Sequence, residues 1–335
     1  MKAVILNGPG NVSVGEFSTP VPKAGEVRVR VAFCGICGSD FHKVAGKKNT
    51  HPVRYPVPLG HEISGVVESV GEGVTAFHPG DRVTVDPNWS CGKCYYCKNG
   101  QPSFCEHGRG VVKGMAEYVV SPEENVYHLP EGLSLRDAAL CEPLACCLRG
   151  IDLLGIRHGE RVALIGLGAI GTIMLQLIKA AGAGEVLVVD ANEARRETAM
   201  ALGATGFLPA QDGAAIAEYA KTHPVHRVIE CVGVGPAQET ALEVAGKGAT
   251  VVMFGVSDSA AKLPISLYDA FCKELTIKTS FINPHTTERA VQVLAAGLLN
   301  TDAVIAGELS MEEAAAEMLS PRLTRQGKVL VRIDR

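Results

Sequence analysis

The chain has 335 residues with 47% hydrophobic content, 32 Lys+Arg against 36 Asp+Glu and a formal net charge of -4. That length allows about two domains of ~100–200 residues with filled cores; it excludes a stapled miniprotein and leaves no basic stripe for nucleic acid. Eleven cysteines follow an N-terminus (Met1-Lys2-Ala3-Val4-Ile5-Leu6, then Asn7-Gly8-Pro9-Gly10) that reads as a strand and turn and not as a secretory leader, so a cytoplasmic chain using its thiols on metal is expected.

After the first strand, short β-branched runs broken by Gly and Pro recur at 26–33, 63–70, 81–85 and 115–120, predicting an all-β module. From about Gly159 the pattern changes to apolar run, Gly-rich turn and helix-length stretch. The runs fall at 162–165, 185–190, 227–232, 249–254 and 275–281, which predicts a parallel sheet covered on both faces. The most membrane-like stretch, 162–178, is interrupted by Gly166, Gly168 and Gly171 and closed by Lys179, so no membrane span is expected. An amphipathic helix at 286–299, a short helix at 311–318 and a last strand at 328–333 complete the pattern.

Four constellations carry chemistry. The first is Cys91-x-x-Cys94-x-x-Cys97 followed by Cys105, a loop that can fold four thiolates around one tetrahedral zinc. Four protein ligands leave no position for substrate, so such a site is structural. The second is scattered: Cys37, then Gly60-His61-Glu62, then Cys141-Glu142-Pro143. Together these offer a thiolate, an imidazole and two carboxylates, enough for a catalytic zinc with three protein ligands and one open position. Glu62 and Glu142 both stand as candidates for the third ligand. Cys141 rivals Glu142, since neighbours on an extended segment point to opposite faces; Cys34, ending a strand, is expected to point into the barrel.

The third constellation is Gly166-Leu167-Gly168-Ala169-Ile170-Gly171, between an apolar strand and an apolar helix over 170–180. A bare G-x-G-x-x-G would arise by chance about 0.4 times in such a chain, but this one sits in the strand-turn-helix context that cradles a pyrophosphate. Asp190 closes the next strand, where a carboxylate binds both ribose hydroxyls and repels the 2′-phosphate of NADP, so NAD is expected, with Arg195 placed to cover the adenine. The fourth is Ser39 with His42: a hydroxyl beside a reacting alcohol can pass its proton through the cofactor ribose to a surface imidazole. The whole set predicts hydride transfer between an alcohol carbon and NAD.

With Cys37-Gly38-Ser39-Asp40 and His42, Gly60-His61-Glu62, the four-cysteine lobe, Ala116-Glu117-Tyr118, Glu142-Pro143-Leu144 and the glycine turn with Asp190, the sequence resembles the zinc-containing medium-chain alcohol and polyol dehydrogenases over essentially its whole length. The resemblance implies an α/β protein with a GroES-like β-barrel catalytic domain at 1–148 carrying the lobe at about 88–108, a Rossmann doubly wound NAD-binding domain at 149–284, and a C-terminal return to the barrel at 285–335. It implies two zinc ions per chain, an active site in the cleft between the domains, Asp40 bonded to the histidine ligand, and a dimer or tetramer formed through the nucleotide-binding domains. Glu142-Pro143-Leu144 resembles the sorbitol and threonine dehydrogenase branches, and with Ser280-Phe281-Ile282-Asn283-Pro284 it is most similar to bacterial enzymes acting on sugar alcohols or cyclitols. The alternatives are a threonine 3-dehydrogenase-like or simple alcohol dehydrogenase, then a metal-free quinone reductase-like enzyme or an NAD-sensing protein without activity. Metal content separates these classes.

Overall fold

A computed structural model describes residues 1–47 and 53–333. In the N-terminal part, β1 (Lys2–Gly8), β2 (Asn11–Glu16), β3 (Glu26–Gly35), β4 (Val57–Pro58) and β5 (Glu62–Val70) are followed by β6 (Arg82–Val85), β7 (Asn88–Trp89), β8 (Arg109–Gly110), β9 (Tyr118–Pro122) and β10 (Val126–His128). The parallel region contributes β11 (Arg161–Ile165), β12 (Glu185–Asp190), β13 (Gly206–Pro209), β14 (Val225–Glu230), β15 (Ala245–Met253) and β16 (Thr276–Thr279); β17 (Ile305–Leu309) and β18 (Lys328–Arg332) come last.

The first unit comprises Met1–Ala145, Ile282–Gly297 and Ile305–Arg335. Its main sheet runs β10-β6-β5-β3-β18-β17, with β9 also on β3, and a smaller sheet runs β2-β1-β4. Along β3, Val27, Val29 and Val31 are buried while Arg28 and Arg30 are not, the period of two expected of a strand with one wet face. Burying each such side chain contributes about 1.5–3 kcal/mol. A register shift against β5 between Val31 and Phe33 then reverses the phase. As a result Cys34 is fully buried, inside the barrel as the sequence suggested.

The second unit comprises Cys146–Phe281 and Leu298–Val304. Its six strands are all parallel, in the order β13-β12-β11-β14-β15-β16. This is the 3-2-1-4-5-6 order of dinucleotide-binding sheets. Residues 298–304 were expected in the C-terminal return; they pack instead with this unit, because Gln176 Oε1 accepts from Asn300 N at 2.7 Å and Gln176 Nε2 donates to Asn300 O at 3.4 Å. Two elements escape the periodicity reading. The edge strand β13 is four residues ending in Pro, and the helix Cys141–Leu154 carries Pro143, which a first helical turn tolerates because its amides have no intrahelical acceptor. Among the described residues no helix is long and apolar enough to cross a membrane.

Candidate metal centres and dinucleotide turn

β3 ends at Gly35, and Cys37 follows as the extended N-cap of the helix Gly38–Val44, with φ -104° and ψ 152°. Asp40, fully buried in the first turn of that helix, accepts from Cys37 N at 3.2 Å and from Gly60 N at 3.3 Å. One carboxylate thus ties the loop bearing the thiol to the loop bearing the imidazole. Burial opposes ionisation of Asp40, but Lys43, His61 and the Cys37 amide together hold it below the usual carboxylate range. Gly60 takes φ +85°, and a side chain there would lie 2.5 Å from Cys34 Sγ and 2.7 Å from Met115 Cγ; only glycine lets the backbone pass and deliver His61.

Cys37, His61 and Glu62 can offer one ligand atom each with all three within 4.8 Å of one another. His61 Nδ1 is buried and has no hydrogen-bond partner among the described residues; Asp40 Oδ1 lies 3.8 Å away, too far for the hydrogen bond the resemblance implied. A thiol, an imidazole with an unsatisfied nitrogen and a carboxylate at this spacing fit a zinc ion. Glu62 is also held from the far side. Lys328 Nζ donates to Glu62 Oε1 at 2.7 Å, to Oε2 at 2.8 Å and to Ile36 O at 3.1 Å, with both residues buried. A Cβ on Gly35 would come within 2.0 Å of Glu62 Oε2, so that glycine makes room for the carboxylate.

Burial, reinforced by Glu62 and Asp40, pushes the Cys37 thiol up to about 11, while Lys328 and a hydrogen bond from Ser39 act the other way. Burial alone would lower the Lys328 pKa, yet Glu62, Cys37 and Glu142 raise it above the ordinary lysine value. Glu142, in the first turn of its helix, is pushed up to about 8 by burial; His61 lowers it, and Glu62 and Cys37 raise it further. Its partners are therefore the members of the cluster, although it is not one of the three closely grouped residues. Cys141 is pushed to about 12 by burial and answers to Thr84 and Glu288, away from that group. The helix places these two neighbours on different sides, and Glu142 is the one that senses the site. Ser39 and His42 share the helix Gly38–Val44, both half-buried.

Cys91, Cys94, Cys97 and Cys105 form the second cluster, again with all donors within 4.8 Å. It hangs on the short hairpin of β7 and β8, where the Arg109 guanidinium lies 4.8 Å over the Trp89 ring. Backbone amides point at the sulfurs: Cys91 N lies 3.3 Å and His107 N 3.4 Å from Cys105 Sγ. Hydrogen bonds from the Cys97 and Glu106 amides bring Cys94 down to about 6. Amides that favour thiolates, gathered around four sulfurs, fit a closed tetrahedral zinc.

The glycine turn follows β11. Gly166 takes φ +92°, Gly168 is the extended N-cap of the helix Ala169–Ala180, and Ile170 and Gly171 lie in its first turn. A Cβ on Gly171 would lie 2.0 Å from Gly166 O, whereas one on Gly168 would meet nothing within 4 Å. The first glycine position closes the turn, and the second leaves the open approach that a pyrophosphate needs at a helix N-terminus. Asp190 is already engaged: Oδ2 accepts from Leu167 N at 2.6 Å and from Arg195 Nη1 at 3.0 Å, and Oδ1 accepts from Asn192 N at 2.8 Å. Arg195 therefore pairs with the carboxylate that the sequence reading assigned to the ribose. Arg196 is turned away, bonded to Glu193 and to Phe207 O.

Two residues were missed. Lys328 was read only as the start of a strand; a lysine beginning the otherwise apolar run Lys328-Val329-Leu330-Val331 is the signal that could have found it, because a buried ammonium requires a paired carboxylate. Glu230, at the end of β14, is the other.

Two sequence families match: the alcohol dehydrogenase GroES-like domain over residues 23–131 and the zinc-binding dehydrogenase family over residues 169–296. A sorbitol dehydrogenase of Halalkalibacterium halodurans is 31% identical over 326 residues, covering 93% of this chain and 94% of that protein. A zinc-binding dehydrogenase of Sinorhizobium meliloti 1021, solved bound to NADP, is 37% identical with a TM-score of 0.91, covering 99% of this chain and 98% of its own. An alcohol dehydrogenase of Escherichia coli CFT073, solved with NADH, is 28% identical with a TM-score of 0.90 and 99% coverage of both chains.

Proposed function

This chain belongs to the zinc-containing medium-chain alcohol and polyol dehydrogenases, and from that membership we propose that it oxidises a secondary alcohol of a sugar alcohol or cyclitol with NAD. The carrying observation is the grouping of Cys37, His61 and Glu62 within 4.8 Å, with Glu142 in electrostatic contact. Cys37 and His61 hold the catalytic zinc, with Glu142 or Glu62 as the third ligand; Cys91, Cys94, Cys97 and Cys105 hold the structural one. When bound, zinc supplies Lewis-acid chemistry worth about nine pKa units on an oxygen, and NAD supplies the hydride acceptor.

The chain's own groups do the rest. Ser39 receives the hydroxyl proton of the substrate and passes it toward His42, so that charge does not accumulate in the site. Lys328 holds both oxygens of Glu62 in place and sets a positive charge beside the carboxylate that faces the metal position. Asp40 fixes the entry of both ligand loops. A spectrophotometric screen of sugar alcohols, cyclitols, threonine and simple alcohols for NADH production, with zinc counted per chain, tests the reading. Two zinc ions and preferred turnover of a polyol support it, whereas a metal-free active protein refutes it.

NAD is favoured because Asp190, at the end of β12, would receive the ribose hydroxyls, but Arg195 neutralises part of its charge, so discrimination against NADP is modest. Asp190→Ala should weaken NAD use and bring the ratio of kcat/KM for the two cofactors toward one. An unmutated enzyme that already uses both equally would count against Asp190 as the selector.

The enzyme is also read as a cytoplasmic homo-oligomer. Among the described residues no two cysteines are joined in a disulfide, in keeping with a reducing compartment. β16 is an edge strand, and the nearby helix Leu267–Lys273 exposes Leu267 at 81% and Phe271 at 82%. Uncovered edges and large apolar side chains of this kind are sites of self-association.

A further inference from the structure

Among the described residues, three buried side-chain atoms lack a hydrogen-bond partner: His61 Nδ1, Ser280 Oγ and Glu230 Oε2. The first belongs to the metal cluster. Glu230 is fully buried at the C-terminal end of β14, the edge where ligands bind in open parallel sheets.

Its other carboxylate oxygen is doubly occupied: Oε1 accepts from Val232 N at 2.5 Å and from Gly233 N at 2.7 Å. Its backbone oxygen accepts from Phe254 N at 2.9 Å and Gly255 N at 2.8 Å, in the turn after β15. These turns meet backbone to backbone. A Cβ on Gly255 would lie 2.2 Å from Gly233 N, and one on Gly233, at φ +80°, would lie 2.6 Å from Val256 O. The turn held by Glu230 in turn abuts the glycine turn after β11, since a Cβ on Gly166 would lie 2.4 Å from Val232 Cγ2. A buried carboxylate is costly, and the amides on one oxygen offset only part of that cost, since burial still holds Glu230 above the usual carboxylate range.

We propose that Glu230 is a positioning residue for the dinucleotide: its carboxylate fixes the Val232-Gly233 peptide so that the Val232 side chain braces the Gly166 turn in the conformation that receives the pyrophosphate. This rests on the reading of that turn as the cofactor site. It separates Glu230 from a general stabiliser, because its effect falls on cofactor affinity and travels through Val232.

The test is NADH binding to the full-length zinc-loaded enzyme, followed by fluorescence, for Glu230→Ala, Glu230→Gln and Val232→Ala, with thermal midpoints alongside. Glu230→Ala should raise the NADH Kd on the order of tenfold while leaving kcat at saturating cofactor within about twofold. Glu230→Gln, whose amide oxygen accepts the same two N–H groups, should stay within about threefold. Val232→Ala, at a half-exposed position that does not threaten folding, should weaken binding severalfold. Wild-type affinity in Val232→Ala or in folded Glu230→Ala overturns the proposal, as does equal weakening by the Ala and Gln variants. An unmutated enzyme that binds neither NADH nor NADPH overturns the cofactor reading itself.

Discussion

Cys91 and Cys105 lie 14 residues apart on an exposed hairpin, whereas Cys37, His61 and Glu62 meet where β3 and β5 run side by side, and Glu62 is paired with a lysine 266 residues further along the chain. In the lobe, backbone amides lower Cys91 and draw Cys94 down to about 6, while burial and the neighbouring sulfurs push Cys97 up to about 11. In the barrel, burial and neighbouring carboxylates drive Cys37 up to about 11, and charge balance depends on Lys328. A cluster built from local backbone is self-sufficient; one built from distant side chains inherits the state of the fold around it. The lobe suits a metal that only ties a loop, and the barrel cluster suits a metal whose reactivity must be set by its surroundings.

Four substitutions would break or sharpen this contrast. Cys37→Ser should remove one of two zinc ions and lower kcat/KM on the order of a thousandfold or more, with circular dichroism and thermal midpoint nearly unchanged. Retained activity would remove Cys37 from the chemistry. Lys328→Met leaves a buried carboxylate without its cation and should cost about 3–5 kcal/mol in denaturant unfolding. Adding Glu62→Gln should recover a large part of that loss; if the double variant is no more stable than the single one, the pair does not govern the cluster. Cys94→Ser should release the other zinc and open the hairpin to proteases near Tyr95 and Phe104, both exposed. Its effect on global stability should stay within about 1 kcal/mol, because few core side chains come from the lobe. A large global loss would show that the lobe is not self-contained.

The same contrast explains what was legible in the sequence. Four cysteines at short spacing, and glycines between an apolar strand and an apolar helix, are patterns that backbone geometry alone turns into sites, so Cys91 to Cys105 and Gly166 to Gly171 could be read in one dimension. Cys37, His61, Glu62 and Glu142 were read as a set from their chemistry, and the first three lie within 4.8 Å of one another, but the choice between Cys141 and Glu142 depended on a helix start that Pro143 disguised. Glu230 carried no local motif, and Lys328 only the oddity of a lysine opening an apolar run. Their roles come from register, with Gly35 opposite both Glu62 and Leu330, and from turns converging at the edge of the parallel sheet. Short edge strands such as β13 were lost because four residues give too brief an alternation to detect.

β18 inserts between β3 and β17, and it brings Lys328 to Glu62. During synthesis the thiol, the imidazole and the carboxylate emerge long before Lys328, so Glu62 gains its buried cation only once the closing strand docks. The charge that surrounds the three ligand side chains is therefore completed by the last strand of the chain.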